Sequence, residues 1–371
     1  MKTPTWCKLL LLFCLTAAFC NGCWDRKDFN QLAIAQAVAV DYEDGQYALT
    51  MQLLMPNAIE ETVSSDSVWI VSGQGDSVGD ALEALAMRAP REIYLAHLDI
   101  ILLGEGLLQE DVEDGFAFML KRTALRRRTN LLAVEGKAGD VLQAKAELSD
   151  VDIYYLTNLI RDQNRQVNNS EAILNDYYLT MENGLAEGLV IPRVEVENEQ
   201  SIRLQGAALV ADKKLLDWVD QSWLSSYRWI TGGKELMTLH DVGSTQSDVT
   251  IELSKKKCKW ELIAEEPLQV RAKLQAQMVI VENDLQTEQL SLEEIKTLQQ
   301  EVQAAAEAEI RRQMEAYMAQ MQQTGCDTLR LGRWLRAWHP ALVTEENWPQ
   351  LFSTIKIEVQ LETNIQLHEL K

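Results

Sequence analysis

The chain has 371 residues, 35 of them basic and 56 acidic, for a formal charge of −21 at pH 7. That balance argues against nucleic acid as a partner, because phosphate binding leaves a basic footprint, and it would also repel an anionic lipid surface. Hydrophobic residues make up 47% of the chain and no low-complexity tract interrupts them, so two or three packed domains are expected.

The first 22 residues read as an export signal. Lys2 and Lys8 carry the positive charge, and Leu9 to Cys20 form an apolar run of about a dozen residues, too short for a spanning helix of ~20. Gly22 leaves a small residue at the scissile bond before Cys23, so residues 1–22 are assigned as a lipoprotein signal peptide and Cys23 as the lipidated first residue of the mature chain. Cys20 and Asn21 depart from the usual pattern of a leucine followed by a small residue. Two acyl chains on Cys23 would anchor the protein stably where one would be marginal. The mature body retains 33 basic and 56 acidic residues, a charge of −23, and only Cys258 and Cys326 among its thiols, which suit either one disulfide or two buried thiols.

After the leader, Leu32 to Asp41 and Gln46 to Met55 flank Glu43-Asp44-Gly45 as a β-hairpin. Val68 to Val71 predicts a strand, and Ser77 caps a helix carrying Val78, Leu82, Leu85 and Ala89 on one face before Pro90 ends it. A buried strand over Leu98–Leu103, a helix over Asp111–Arg122, a strand over Asn130–Val134 and helices over 141–148, 153–161 and 172–181 follow. Pro192 and the acidic run Glu195 to Glu199 mark a boundary near residue 198. This gives an N-terminal α+β domain over 23–198 and a C-terminal one over 199–371, the latter open to division near 245–265. Beyond the boundary come strands over 203–210 and 215–219, an aromatic helix around Trp223–Trp229, and long paired strands over 249–264 and 270–281. Ser291 with Glu294 forms a capping box for a long amphipathic helix ended by Gly325, and Ile355–Leu367 alternates as a final strand. The fold class is therefore α+β, multi-domain, with mixed or antiparallel sheets flanked by helices.

Candidate chemistry is sparse. Gly73-Gln74-Gly75-Asp76-Ser77-Val78-Gly79 sits between strand and helix, but its GxGxxxG spacing, its missing lysine and Asp76 make it a poor phosphate cradle. His97 and Asp99 would share one face of a strand, yet their apolar flanks favour a structural role. The four histidines form no metal-ligand spacing and no GxSxG elbow appears, so neither metal, cofactor nor enzymatic activity is expected. Arg126-Arg127-Arg128, a basic cluster, suits lipid headgroups, an acidic partner or, more simply, a solvated helix end. Trp218, Trp223, Tyr227 and Trp229 suit either core packing or a recognition surface.

Several segments, in order, resemble the Ger(x)C family, the lipoprotein C subunit of nutrient germinant receptors in endospore-forming bacteria. They are Gly22-Cys23-Trp24-Asp25-Arg26-Lys27 with Leu32-Ala33-Ile34, His97-Leu98 to Gly104-Glu105, and Gly206 to Leu209 with Asp212 to Leu215, Trp229 and Gly232. Cys326-Asp327 to Gly332, Trp348 and the terminal strand complete the set. Leu209 and Asp217 replace the family's usual Phe and Gly. The resemblance implies a non-catalytic lipoprotein at the outer face of the spore inner membrane, acting with two integral-membrane subunits, one of them transporter-like. On the residues alone, a solute-binding lipoprotein of a transporter remains the alternative.

Overall fold

The structure, a computed structural model, describes residues 31–54, 68–117, 125–144, 172–181, 183–198, 201–232, 234–243, 247–283 and 291–367, together with Trp6 and Asn158. These residues form two sheets flanked by helices, the α+β architecture expected.

The hairpin forms as β1 (Leu32–Glu43) and β2 (Gln46–Leu54), turning through Asp44 and Gly45, both at positive φ. A two-residue turn of that hand matches the twist of the strands, and Asp-Gly tolerates it. β3 (Val68–Gly75) pairs with β2, and the Ser77 hydroxyl caps α1 (Val78–Ala86) by accepting the Asp80 backbone N–H. α1 folds back on β3 so closely that a Cβ at Gly73 would press on the Ala81 carbonyl and the Leu85 nitrogen. The glycines of this loop therefore serve helix–strand contact.

β4 (Glu92–Tyr94) and β5 (Ile100–Gly104) pair in parallel with β1, and β6 (Asn130–Val134) pairs in parallel with β5. β1 is buried without a break from Leu32 to Asp41, and β5 throughout, so both read as apolar runs rather than alternating strands. An unexpected helix, α2 (Glu105–Glu110), ends at Asp111, whose backbone is extended, ahead of the helix expected over Asp111–Arg122. Helix resumes over residues 114–117, and 118–122 lie outside the described residues. α3 (Ala138–Gln143) begins three residues ahead of expectation and α4 (Leu174–Met181) matches it; the helix expected at 153–161 lies outside the described residues apart from Asn158.

β7 (Leu189–Asn198) occupies a stretch that Pro192 and its acidic run mark as a boundary. The proline is accommodated beside a register shift, where no ladder donor is required. β8 (Ser201–Ala211) and β9 (Lys214–Val219) follow, with Asp212 and Lys213 both left-handed in the turn between them. The first sheet runs β3-β2-β1-β5-β6-β7-β8-β9, with β4 beside β1, and so continues through residue 198 as far as Val219.

After α5 (Gln221–Thr231), β10 (Glu235–Val242), β11 (Ser247–Glu265), β12 (Leu268–Asn283) and the terminal β13 (Lys356–Leu367) make the second sheet in the order β10-β11-β12-β13. α6 (Leu292–Thr324) has the expected capping box at Ser291 and Glu294 and ends on left-handed Gly325. It buries Leu298, Val302, Ala306, Ile310, Met314, Tyr317 and Met321, so its apolar stripe lies inward against the sheet. α7 (Leu331–Trp338) and α8 (Trp348–Thr354) add Leu331, Leu335, Trp348 and Phe352 to the same core. That core also takes in Val190, Ala207, Leu209 and Val219 from the first sheet, so the two sheets share it. Cys258 and Cys326 are free thiols, and burial pushes each up to about 12.

Candidate functional site

The residues assigned to anchoring, Gly22 and Cys23, lie outside the described residues. Where the described chain enters the fold is nevertheless defined. β1 begins at Leu32, which pairs with Glu92, and Ile34 pairs with Tyr94. From there a short path of hydrogen bonds leads to the basic cluster. The Asp99 backbone N–H donates to the Gln36 carbonyl, Asn130 N–H donates to the Asp99 carbonyl, and the Thr129 hydroxyl donates to the Leu98 carbonyl. β1, β4, β5 and β6 are mutually parallel, so the start of each lies at this one end of the sheet.

The cluster is a turn ahead of β6 rather than a helix end. Arg126 lies 2.5 Å from His97 Nδ1 and 3.7 Å from the Asp99 carboxylate, so the histidine–aspartate pair is bridged by a cation, with the His97 ring in tilted contact with Tyr94. Burial is the main influence on Asp99 and raises its pKa, with Arg126 acting against it. Arg127 donates to the Asn175 side chain and lies over the Tyr178 ring.

A second set of polar residues joins the sheets. Asp327 is fully buried and accepts the backbone N–H groups of Leu331 and Gly332 at 3.1 and 2.8 Å, closing the first turn of α7. Burial outweighs those bonds and pushes its carboxyl up to about 7. A Cβ on Gly332 would meet the Trp348 ring, and one on Gly188 would meet Cys326 Sγ. Arg333 forms an ion pair with Glu187, whose side chain is 1% exposed, and so links α7 to the strand β7 entry. In the earlier motif block, Gly206 is left-handed with its α-carbon against the Val219 carbonyl, Leu209 and Trp229 are buried, and Gly232 caps α5. Trp223 and Tyr227 are likewise buried and stacked, so this aromatic set belongs to the core, with Trp218 at its margin under Arg193.

Sequence reasoning missed Glu187, Arg333 and the paired Lys256 and Glu235, whose side chains are 0% and 3% exposed and 2.6 Å apart. Nothing in their local spacing signals a partner so distant in sequence. It missed Asp41 too, which is buried and accepts the Ala138 and Gly139 N–H groups at 2.7 and 2.9 Å at the start of α3. Among the described residues two hollows stand out. One of about 380 Å³ lies between β9, α5 and α6, lined by Trp218, Asp220, Trp223, Arg312 and Tyr317. A wider one of about 690 Å³ is lined by Asp41, Thr50, Ser72, Arg88, Lys137 and Asp140. Among the described residues no group of three or more histidine, cysteine or acidic side chains is placed to hold a metal ion, and no helix is long and apolar enough to cross a membrane.

These features define a two-sheet α+β protein whose motif residues cap helices and seal packing between layers. The chain matches the model of the spore germination protein N-terminal domain over residues 25–196 and that of the B3/GerAC-like C-terminal domain over residues 205–368. It therefore belongs to the Ger(x)C family of spore germination proteins. Spore germination protein B3 of Bacillus subtilis (strain 168) is 35% identical over 144 residues, 38% of this chain and 37% of that one. Spore germination protein KC of the same organism is 28% identical over 138 residues, 35% of this chain and 34% of that one. The aligned stretches thus span little more than a third of these relatives. The crystal structure of the GerBC protein shares the fold, with a TM-score of 0.58 at 19% identity, covering 91% of this chain and 99% of that one.

Proposed function

We propose that this protein is the lipid-anchored, non-catalytic subunit of a nutrient germinant receptor. It is held by Cys23 at the outer face of the spore inner membrane and acts with two integral-membrane subunits, one of them transporter-like. The observation that carries this reading is the family match across almost the whole mature chain, combined with Gly22-Cys23 at the end of an export signal. A non-catalytic role is supported by what the motif residues do: Asp327, Gly332, Gly206 and Trp229 are committed to caps and packing. The division into two units near residue 198 is part of the same reading, since the two family models fall on either side of it.

Cys23→Ala tests the anchor. Spores carrying it should form normally, lose the protein from the inner membrane and germinate slowly in nutrients; an unchanged nutrient response counts against the reading. The hollow beside Trp218 and Trp223 favours one second reading, a solute-binding lipoprotein. Titration calorimetry of the full chain with amino acids, sugars and nucleosides separates the two. Tight binding supports the solute-binding protein, and its absence supports the receptor scaffold.

A further inference from the structure

A run of arginines in this acidic protein lies where the anchored segment enters the fold, and a second basic run, Lys255, Lys257 and Lys259, is exposed on β11 of the other sheet. Arg126, Arg127 and Arg128 are all exposed, and the path from Arg126 through Asp99 to Gln36 places them beside the first turns of β1. Arg91 directly precedes Glu92, the partner of Leu32, and so stands at the entry point itself. Among the described residues the carboxylates at this end include Glu92, Asp99, Asp176, Asp212 and Glu113; Asp99 faces Arg126, Glu113 pairs with Lys213, and Asp176 accepts the Ile173 N–H. Among the described residues neither Arg127 nor Arg128 forms an ion pair with a carboxylate.

The opposite end of the same strands is acidic. Glu43, Asp44, Asp76, Asp80, Glu105, Glu135 and Asp140 gather around the turns that follow β1, β3, β5 and β6, where they outnumber Lys137, paired to Glu43, Arg193, paired to Glu135, and Arg88. The first sheet is thus polarised along its strands. The arginine end also exposes Tyr94, and Trp69 and Ile70 near the start of β3, at 38%, 46% and 45%. Arginine with tryptophan and tyrosine is the composition favoured at a bilayer interface, where the rings sit at headgroup depth and the cations meet phosphate.

We propose that this end of the sheet, centred on Arg127 and Arg128 with Arg91 and Arg126, docks on the anionic phospholipid surface to which the chain is tethered. The proposal rests on lipidation at Cys23. Eight residues, 24 to 31, separate that cysteine from Leu32, and at 3.3–3.6 Å per residue they reach no further than roughly 30 Å. A tether that short brings the arginines within range of the surface. Attraction over a Debye length of about 8–10 Å then turns the basic end down and the acidic end away. A body of charge −23 would otherwise be repelled by the surface that its own lipid is buried in. The docked orientation presents the acidic end to whatever assembles above the membrane.

The test uses the full lipidated chain in vesicles of phosphatidylcholine alone or with one third phosphatidylglycerol. A donor dye is placed on Glu92→Cys at the arginine end or on Gln46→Cys at the acidic end, and energy transfer to a headgroup-labelled lipid is read. Cys326 is buried and Cys258 half-buried, so both are replaced by alanine to leave the new thiol as the labelling site. With phosphatidylglycerol the Glu92 site should transfer strongly and the Gln46 site weakly, and high salt should erase the difference. Arg127→Gln with Arg128→Gln should lower the docked-to-undocked ratio by about twenty-fivefold, at about fivefold for each arginine. Arg127→Lys with Arg128→Lys should preserve it. A chain that floats with both kinds of vesicle but transfers equally from both sites overturns the docking and leaves the anchor intact. A chain that fails to float even with neutral vesicles refutes the anchor, and the docking with it. An orientation seen in native spore membranes but not with phosphatidylglycerol assigns the arginines to an acidic protein surface and overturns the lipid assignment.

Discussion

Replacement of Asp327 by Asn tests whether the buried carboxyl at the α7 start is a cap held against its own desolvation. In the folded protein its pKa is raised from 3.8 to about 7, chiefly by burial. A raised carboxyl binds its proton more tightly in the folded state, so its contribution to stability is fully present below the unfolded value and is lost as pH rises through ~7. Between pH ~8 and pH ~5.5 that contribution grows by about 2 kcal/mol, at 1.36 kcal/mol per unit. Asparagine has no titration and only one acceptor oxygen for the two N–H groups of Leu331 and Gly332. Leaving one of them without a partner costs about 1–3 kcal/mol at any pH. The Asp327→Asn deficit should therefore be modest near pH ~8 and larger by about 2 kcal/mol near pH ~5.5. Urea midpoints followed by tryptophan emission, with wild type and variant compared at each pH, measure it. Other carboxylates titrate alike in both proteins and cancel in the difference. A deficit that stays constant, or shrinks on acidification, would refute the assignment.

Three further outcomes follow from the junction and the cores. Arg333→Met leaves Glu187 buried without its cation and should cost about 3–5 kcal/mol in urea unfolding, much of it recovered when Glu187→Gln is added. Lys256→Met should cost a similar amount, about 3–5 kcal/mol, because Glu235 is left in the core, and Lys256→Met with Glu235→Leu should return close to wild-type stability. Gly332→Ala drives a methyl into the Trp348 ring and should lower stability by roughly 1–3 kcal/mol while shifting the emission of that buried tryptophan.

The elements that sequence reasoning locates are those whose signals are local. Asp44-Gly45, Ser77, the Ser291–Glu294 box and Gly325 are each read within four residues, and each occupies the turn or cap expected of it. The amphipathic stripe of α6 is similarly plain over 33 residues. The elements it misses are those in which one residue works against its neighbours. β7 carries Pro192, tolerated because a register shift removes the demand for its N–H. β10 turns Glu235 inward, which reads as a polar position until Lys256, 21 residues on, arrives to pair with it. α2 starts on Gly104 with no side-chain cap, so the eye moves on to Asp111.

The same division separates motif from function. Asp212-Lys213, Gly206, Trp229, Asp327 and Gly332 are the residues by which the chain resembles its family, and each is accounted for by a turn, a close approach, a buried ring or a cap. A motif of that kind states which fold the chain adopts and leaves the surface free to vary. Arg126-Arg127-Arg128 is no part of the motif set, and its three adjacent residues give no hint of what lies beside them in space. Only the parallel order of β1, β5 and β6 carries that cluster to the strand start from which the tether departs. The charge of the whole body, −23, gives the cluster its consequence. In a protein of mixed surface charge three arginines would be incidental, whereas here they define the end that an anionic bilayer attracts.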